Sequence, residues 1–148
     1  MNLKLPPKFV VDACVYIAAL DKKEVHHKVS LAFFDAIREK KYRLFAPCLA
    51  TLEISNNYRK HKRIDARKEL LKKGKLQTII IYFDKIFFDK YSKIMLDLPY
   101  IKTADILYAT VAKLNSAPFI TWNKKHFIKY RSVIDIMTPK EFLKSSYM

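Results

Sequence analysis

Three carboxylates in this 148-residue chain fall where chemistry is commonly done. Asp12 closes the short apolar run Phe9-Val10-Val11. Glu53 follows a second such run and is flanked by Leu52 and Ile54. Asp105 opens a stretch that is otherwise apolar, with Ile106, Leu107, Ala109, Val111, Ala112 and Leu114. Each has an ordinary explanation when taken alone. Asp12 suits a helix N-cap, Glu53 an exposed helical position, and Asp105 the positive end of a helix dipole. Together they suggest more. Carboxylates that converge repel one another unless a cation sits between them. The cation such oxygens select is hard and divalent, Mg²⁺ or Mn²⁺. An ion held that way activates water and neutralises charge on a phosphoryl group.

The elements around these acids must bring them together. Phe9 to Val11 reads as a short buried strand, and a helical pattern follows Asp12. Val25, Val29, Ala32, Phe33, Ala36 and Ile37 recur at helical spacing and predict an amphipathic helix over 24–40. Arg43 to Ala46 predicts a second strand, and Pro47 leads into a helix over 49–60. A basic helical stretch, 62–73, ends near Gly74, which suits a C-cap. Thr78 to Phe83 is a β-branched strand. A helix over 84–97 presents Ile86, Phe87, Tyr91, Ile94 and Met95 on one face. After Pro99, Thr103 is the expected N-cap of a helix over 104–115. Phe119 to Thr121 and Val133 to Ile136 complete the strands, and Thr138-Pro139-Lys140-Glu141 starts a last short helix. Short apolar strands alternating with helices predict an α/β fold: a parallel sheet of five strands covered on both faces, in one domain spanning 1–148. In such sheets ligands bind beyond the carboxyl ends of the strands, the edge to which all three acids are assigned.

Composition narrows the chemistry. The chain has 29 Lys and Arg against 14 Asp and Glu, a formal net charge of +15, which favours a polyanionic partner. Its one glycine, Gly74, excludes a P-loop or a dinucleotide fingerprint, since both need several glycines. Two cysteines, Cys14 and Cys48, are too few for a disulfide scaffold and fit a reduced, cytoplasmic protein. The apolar stretch from Phe9 to Leu20 contains Asp12 and no cleavage signal follows it, so neither a signal peptide nor a membrane span is expected. His26, His27, His61 and His126 do not form a zinc spacing.

The residues around the acids resemble the motifs of PIN domains. Val10-Val11-Asp12-Ala13-Cys14-Val15-Tyr16-Ile17 is similar to their opening motif, and Ala46-Pro47-Cys48-Leu49-Ala50-Thr51-Leu52-Glu53 to their second. Thr103-Ala104-Asp105-Ile106-Leu107-Tyr108-Ala109 resembles the third, and Phe119 to Phe127 the fourth. The tail from Met137 to Leu143 resembles the common ending, so the likeness covers about residues 9–143. The resemblance implies a three-layer α/β/α sandwich around a central parallel sheet. It also implies a metal-dependent endoribonuclease in which Asp12, Glu53 and Asp105 hold Mg²⁺ or Mn²⁺. Water activated there would hydrolyse RNA to leave a 5′-phosphate and a 3′-hydroxyl. Short stand-alone members are often VapC-like toxins of type II toxin–antitoxin pairs, which implies a cognate antitoxin protein as partner.

Two positions depart from the family pattern. Asn123 stands where the fourth motif often has an acid; its amide oxygen can still ligate the ion or hold its water, without adding charge. Cys14 replaces the usual Ser, Thr or Asn, and a thiol is a poor ligand for a hard cation, so Cys14 is expected to pack. These departures motivate the alternative of a catalytically weakened module that binds RNA or a partner protein without turnover. From Arg59 to Lys75 there are nine basic residues (59, 60, 62, 63, 67, 68, 72, 73 and 75) against two acids, Asp65 and Glu69. Arg59, Lys60, Lys62, Arg63 and Arg67 read as a track for the RNA backbone, and the competing reading is an antitoxin-docking surface. Lys124, Lys125 and Lys129 extend the basic rim. Thr121 is placed to hydrogen-bond a metal-ligating carboxylate or a water. Trp122 reads equally as a base-stacking platform and as a partly buried packing residue. Phe33, Phe34, Phe83, Phe87, Phe88 and Tyr91 read as core, with any surplus suited to a homodimer interface or an antitoxin groove.

Overall fold

Alternating side chains decide the layering of this chain. The computed structural model describes residues 6–60, 78–100 and 102–148. Along β1 (Lys8–Val11), Phe9 and Val11 point to one face of the sheet and Val10 to the other, and all three are fully buried. The same alternation continues in β2 (Arg43–Pro47), where Leu44 joins Phe9 and Phe45 joins Val10. A strand buried on both faces needs a helical layer on each side, and the chain provides both. On one face lie α1 (Ala13–Leu20), α2 (His27–Glu39) and the short C-terminal helix α6 (Pro139–Phe142), with Val15, Phe33, Phe34 and Phe142 as their core contribution. On the other lies α5 (Thr103–Asn115), through Tyr108, Ala109, Val111 and Ala112.

The five strands form one parallel sheet in the order β3-β2-β1-β4-β5, with β3 at Thr78–Ile81, β4 at Phe119–Ile120 and β5 at Ile136–Met137. The chain steps outward from β1 to β3, then returns to place β4 on the free side of β1. The strand order therefore reverses between β1 and β4, and the carboxyl ends of those two strands border the crevice where such folds bind ligands. α3 (Cys48–Lys60) follows β2 and packs beside α1, and α4 (Lys85–Asp97) precedes α5.

The expected architecture is present, with corrections at several boundaries. The second helix begins at His27 rather than 24, because residues 22–26 form turns. The third strand stops at Ile81, and Asp84 caps α4 by accepting a 2.7 Å hydrogen bond from the Phe87 N–H. Thr103 is not the N-cap of α5 but its first residue; Lys102 occupies the cap without a side-chain bond. The fifth strand is Ile136–Met137, not 133–136. A 3₁₀ helix over Lys124–Tyr130 continues into turns, in which the Val133 and Ile134 N–H groups donate back to the Tyr130 carbonyl. The last helix starts as expected: Pro139 takes the first position, and Thr138 and Glu141 form a reciprocal capping box. The basic helix expected over 62–73 and the C-cap at Gly74 lie outside the described residues.

Ser116 ends α5 in the left-handed region, at φ 46° and ψ 45°. A glycine is usual there, and this chain, with its single glycine elsewhere, accepts the steric cost of a Cβ. The turn brings Pro118 to the sheet, where its carbonyl receives the Val10 N–H at 3.0 Å.

Candidate active site

Asp12 is set by the end of β1 and the start of α1. It is 8% exposed, and its Oδ1 accepts the Cys14 N–H at 3.3 Å, so the capping role read from sequence is real. Its other oxygen does different work. Oδ2 accepts a 2.6 Å hydrogen bond from Thr121 Oγ1, a fully buried hydroxyl at the end of β4. Thr121 Oγ1 in turn accepts the Asn123 N–H at 2.9 Å, and Cys14 Sγ lies 3.6 Å away. Cys14 packs, as expected: its sulfur accepts the Trp122 N–H at 3.4 Å, and burial pushes its thiol pKa far up.

Glu53 projects from α3 and is half-buried. Its Oε2 accepts a 2.5 Å hydrogen bond from the hydroxyl of Tyr108, which also accepts the Ala13 N–H at 3.3 Å. Asp105 is half-buried in the first turn of α5, three residues before Tyr108. Tyr108 had no signal in sequence beyond lying in an apolar helix, and its contacts are 55 and 95 positions away.

The three acids feel one another. Burial raises the Asp12 pKa above the usual carboxylate range; the Thr121 and Cys14 hydrogen bonds pull it back, and the charge of Asp105 adds to the rise. Burial also raises Glu53, against the Tyr108 hydrogen bond, and the charges of Asp12 and Asp105 push it further. Burial raises Asp105, opposed by the positive fields of His126 and Lys102. All three carboxylates thus resist ionisation, chiefly through burial, with repulsion between acids adding to it at Asp12 and Glu53.

Among the described residues, no three His, Cys, Asp or Glu side chains stand close enough to grip one ion as placed. The donor chemistry nevertheless fits a hard divalent cation. The donors are carboxylate oxygens in mutual repulsion, and the nearby thiol is engaged elsewhere.

The remaining expected residues are distributed as follows. Asn123 is exposed, with no side-chain cap bond at the head of the 3₁₀ helix. Lys124 is engaged by Glu141 through both carboxylate oxygens, at 2.7 and 2.9 Å, while Lys125 is exposed. Arg59 and Lys60 end α3 in solvent; Lys62, Arg63 and Arg67 lie outside the described residues. Trp122 stacks face to face on His26, with centroids 3.9 Å apart and planes 9° apart, and its Nε1–H donates to Ser30 Oγ at 3.0 Å. One indole face and the ring nitrogen are therefore occupied within the protein, which favours the packing reading. Lys102 and His126, given no role in the sequence reading, are the side chains that favour the charged form of Asp105. Of the aromatics, Phe33, Phe34 and Phe87 are core, and Phe88 is exposed. Both cysteines are free, and among the described residues no helix is long and apolar enough to cross a membrane.

A family model described as the PIN domain matches residues 9–132. Among curated proteins, none matches the chain. Among solved structures, the chain is similar to VapBC2 from Rickettsia felis, determined with a DNA fragment from its promoter. The identity is 16% and the TM-score 0.64, over 88% of this chain and 98% of that one. It is also similar to FitAB bound to the IR36 DNA fragment, at 17% identity and TM-score 0.61, over 88% of this chain and 94% of that one. FitAcB from Neisseria gonorrhoeae matches at 19% identity and TM-score 0.62, over 89% of this chain and 98% of that one. At these identities the likeness is one of fold.

Proposed function

Because this chain belongs to the PIN-domain family, we propose that it is a metal-dependent endoribonuclease acting in the cytoplasm as the toxin of a VapBC-type pair. The observation that carries this reading is the trio Asp12, Glu53 and Asp105, each resisting ionisation, at the reversal point of a parallel sheet. A Mg²⁺ or Mn²⁺ ion bound there would supply an activated water and offset charge on the scissile phosphate.

The chain's own residues have definable parts. Thr121 and the start of α1 hold Asp12 in one rotamer, so its carboxylate is preorganised. Glu53 and Asp105 are only half-buried and close enough for their charges to act on one another and on Asp12, so with Asp12 they would form the ligand set. Asn123 extends the site with an amide, adding reach without charge. Arg59, Lys60 and Lys125, with Lys62, Arg63 and Arg67 later in the sequence, draw in the RNA backbone, and Lys102 and His126 do so beside Asp105. Lys124 contributes less, since Glu141 engages it.

The partner reading rests on the fold. VapBC2 and FitAB are two-component assemblies by name, and an antitoxin is proposed here by that analogy. Exposed Tyr82, Ile86, Phe88 and Leu96, on and beside α4, suit the contact surface of a homodimer or that antitoxin. The reading is tested by incubating purified protein with labelled RNA and with DNA of the same sequence, in Mg²⁺ and in EDTA. Cleavage of RNA alone, stopped by EDTA and leaving 5′-phosphate ends, is expected. Asn123 favours the second reading, a binding module without turnover; RNA retention with no cleavage in any metal would select it.

A further inference from the structure

One hydroxyl bonds Glu53 and the backbone beside Asp12, from the helix that carries Asp105. Tyr108 is 1% exposed, its ring held against Phe119 of β4 at 5.6 Å between centroids. A buried phenol needs partners for its oxygen, and this one has two from different elements. It accepts from the N–H of Ala13, the first residue of α1 and the covalent neighbour of Asp12. That N–H is one of the helix's initial donors, which have no partner within the helix. It donates to Glu53 Oε2 on α3. Its own helix carries Asp105 one turn earlier, at the i, i+3 spacing that puts two side chains on one face. α1, α3 and α5 therefore meet at one oxygen atom.

We propose that Tyr108 is the positioning residue of the site, holding the Glu53 side chain beside Asp12 and Asp105 through its hydroxyl. The inference rests on the metal-site reading above. A ligating carboxylate on a half-buried helix face has freedom to turn away, and a donor fixed in the core removes it. The donor is rigid because the ring is enclosed and because the Ala13 N–H fixes the direction of the oxygen's lone pair. Phenylalanine at this position keeps the ring and its packing and removes the bond to Glu53 together with the acceptor for the Ala13 N–H.

The test uses the full chain as wild type, Tyr108→Phe, Glu53→Ala and the double variant, with Mn²⁺ binding followed by calorimetry. Tyr108→Phe is expected to weaken Mn²⁺ by about 10–100-fold, the usual cost of losing a ligand's hydrogen-bond partner. It should lower kcat on RNA while leaving KM within about twofold, since substrate binding is not its task. Added to Glu53→Ala it should cost much less Mn²⁺ affinity than it costs alone, because the hydroxyl acts chiefly through Glu53. Unchanged Mn²⁺ affinity in Tyr108→Phe, or a full additional loss on top of Glu53→Ala, overturns the proposal. If wild type takes up no Mn²⁺, the functional reading falls and the tie is judged on unfolding of the same four proteins in EDTA. Non-additive shifts in Tm then support it, and additive shifts overturn it. Should the Phe variant fail to fold, the Tyr108 hydroxyl proton of wild type decides by NMR. An upfield move in Glu53→Ala supports the hydrogen bond to the carboxylate, and an unmoved signal overturns it.

Discussion

Thr121 Oγ1 donates to Asp12 Oδ2 at 2.6 Å, joining residues 109 positions apart at the carboxyl ends of adjacent strands. The bond stitches β1 to β4 where the strand order reverses, and it fixes the most buried of the three acids.

Thr121→Val tests that bond with little change of shape. It leaves a buried carboxylate oxygen without its donor, which costs about 1–3 kcal/mol of stability. Chemical denaturation should register the loss, and RNA cleavage should fall with it, whereas Thr121→Ser restores both. A Val variant as stable and active as wild type would show that the bond is incidental.

Asp12→Asn should make the metal-free protein more stable while ending cleavage. The physical cause is the raised pKa of all three acids. A carboxyl whose folded pKa lies above its unfolded value, about 4, favours the fold most when protonated. Its contribution is present below the unfolded pKa and is lost as pH rises through the folded one. In EDTA, Tm of wild type should therefore climb as pH falls from neutral through those folded values, and the Asn variant should climb less. Glu141 works the other way. Burial raises its pKa, but the hydrogen bonds from Lys124 and Thr138 win and hold it low, so its contribution is lost as pH falls through the folded value. Its carboxylate is half exposed and solvent screens the pair, so the trio sets the trend. A Tm that is flat or falling over that interval would contradict this.

Asn123→Asp adds a charge at the exposed head of the 3₁₀ helix, next to the site. Tighter Mn²⁺ binding and faster RNA cleavage are expected if the native chain is a working enzyme with a reduced ligand set. No gain in a protein that also fails to cleave would favour the binding module.

The left-handed residue Ser116 gives a prediction about the fold alone. Ser116→Gly should raise stability by about 0.5–1 kcal/mol, read from Tm, with cleavage unchanged. A lower Tm would mean that the turn is held by something other than its backbone conformation.

The chain of strands and helices was legible because apolar runs and their punctuation are local. So was the position of the acids: Asp12 follows a strand, and Asp105 begins an apolar helix. What was not legible depends on distant partners. Tyr108 reads as one more large residue in an apolar helix, and only the fold puts Glu53 and Ala13 at its hydroxyl. Trp122 reads equally as stacker or packer until His26 arrives from α2's cap to cover one face. The fifth strand was misplaced because Val133 and Ile134 are β-branched, yet their N–H groups turn back to Tyr130 rather than forward into the sheet.

The proposed ribonuclease activity requires all three acids and the metal ion they would hold. Asp105 is the acid to remove, since it is half-buried and, among the described residues, no cap or buried hydrogen bond depends on it, so Asp105→Ala should fold as wild type does. The decisive measurement compares both proteins, free of contaminating nuclease, on labelled RNA in Mn²⁺ and in EDTA. Cleavage by wild type in Mn²⁺ alone, with none by a folded Asp105→Ala, is the predicted result. Equal cleavage by the two, or cleavage that survives EDTA, would contradict it.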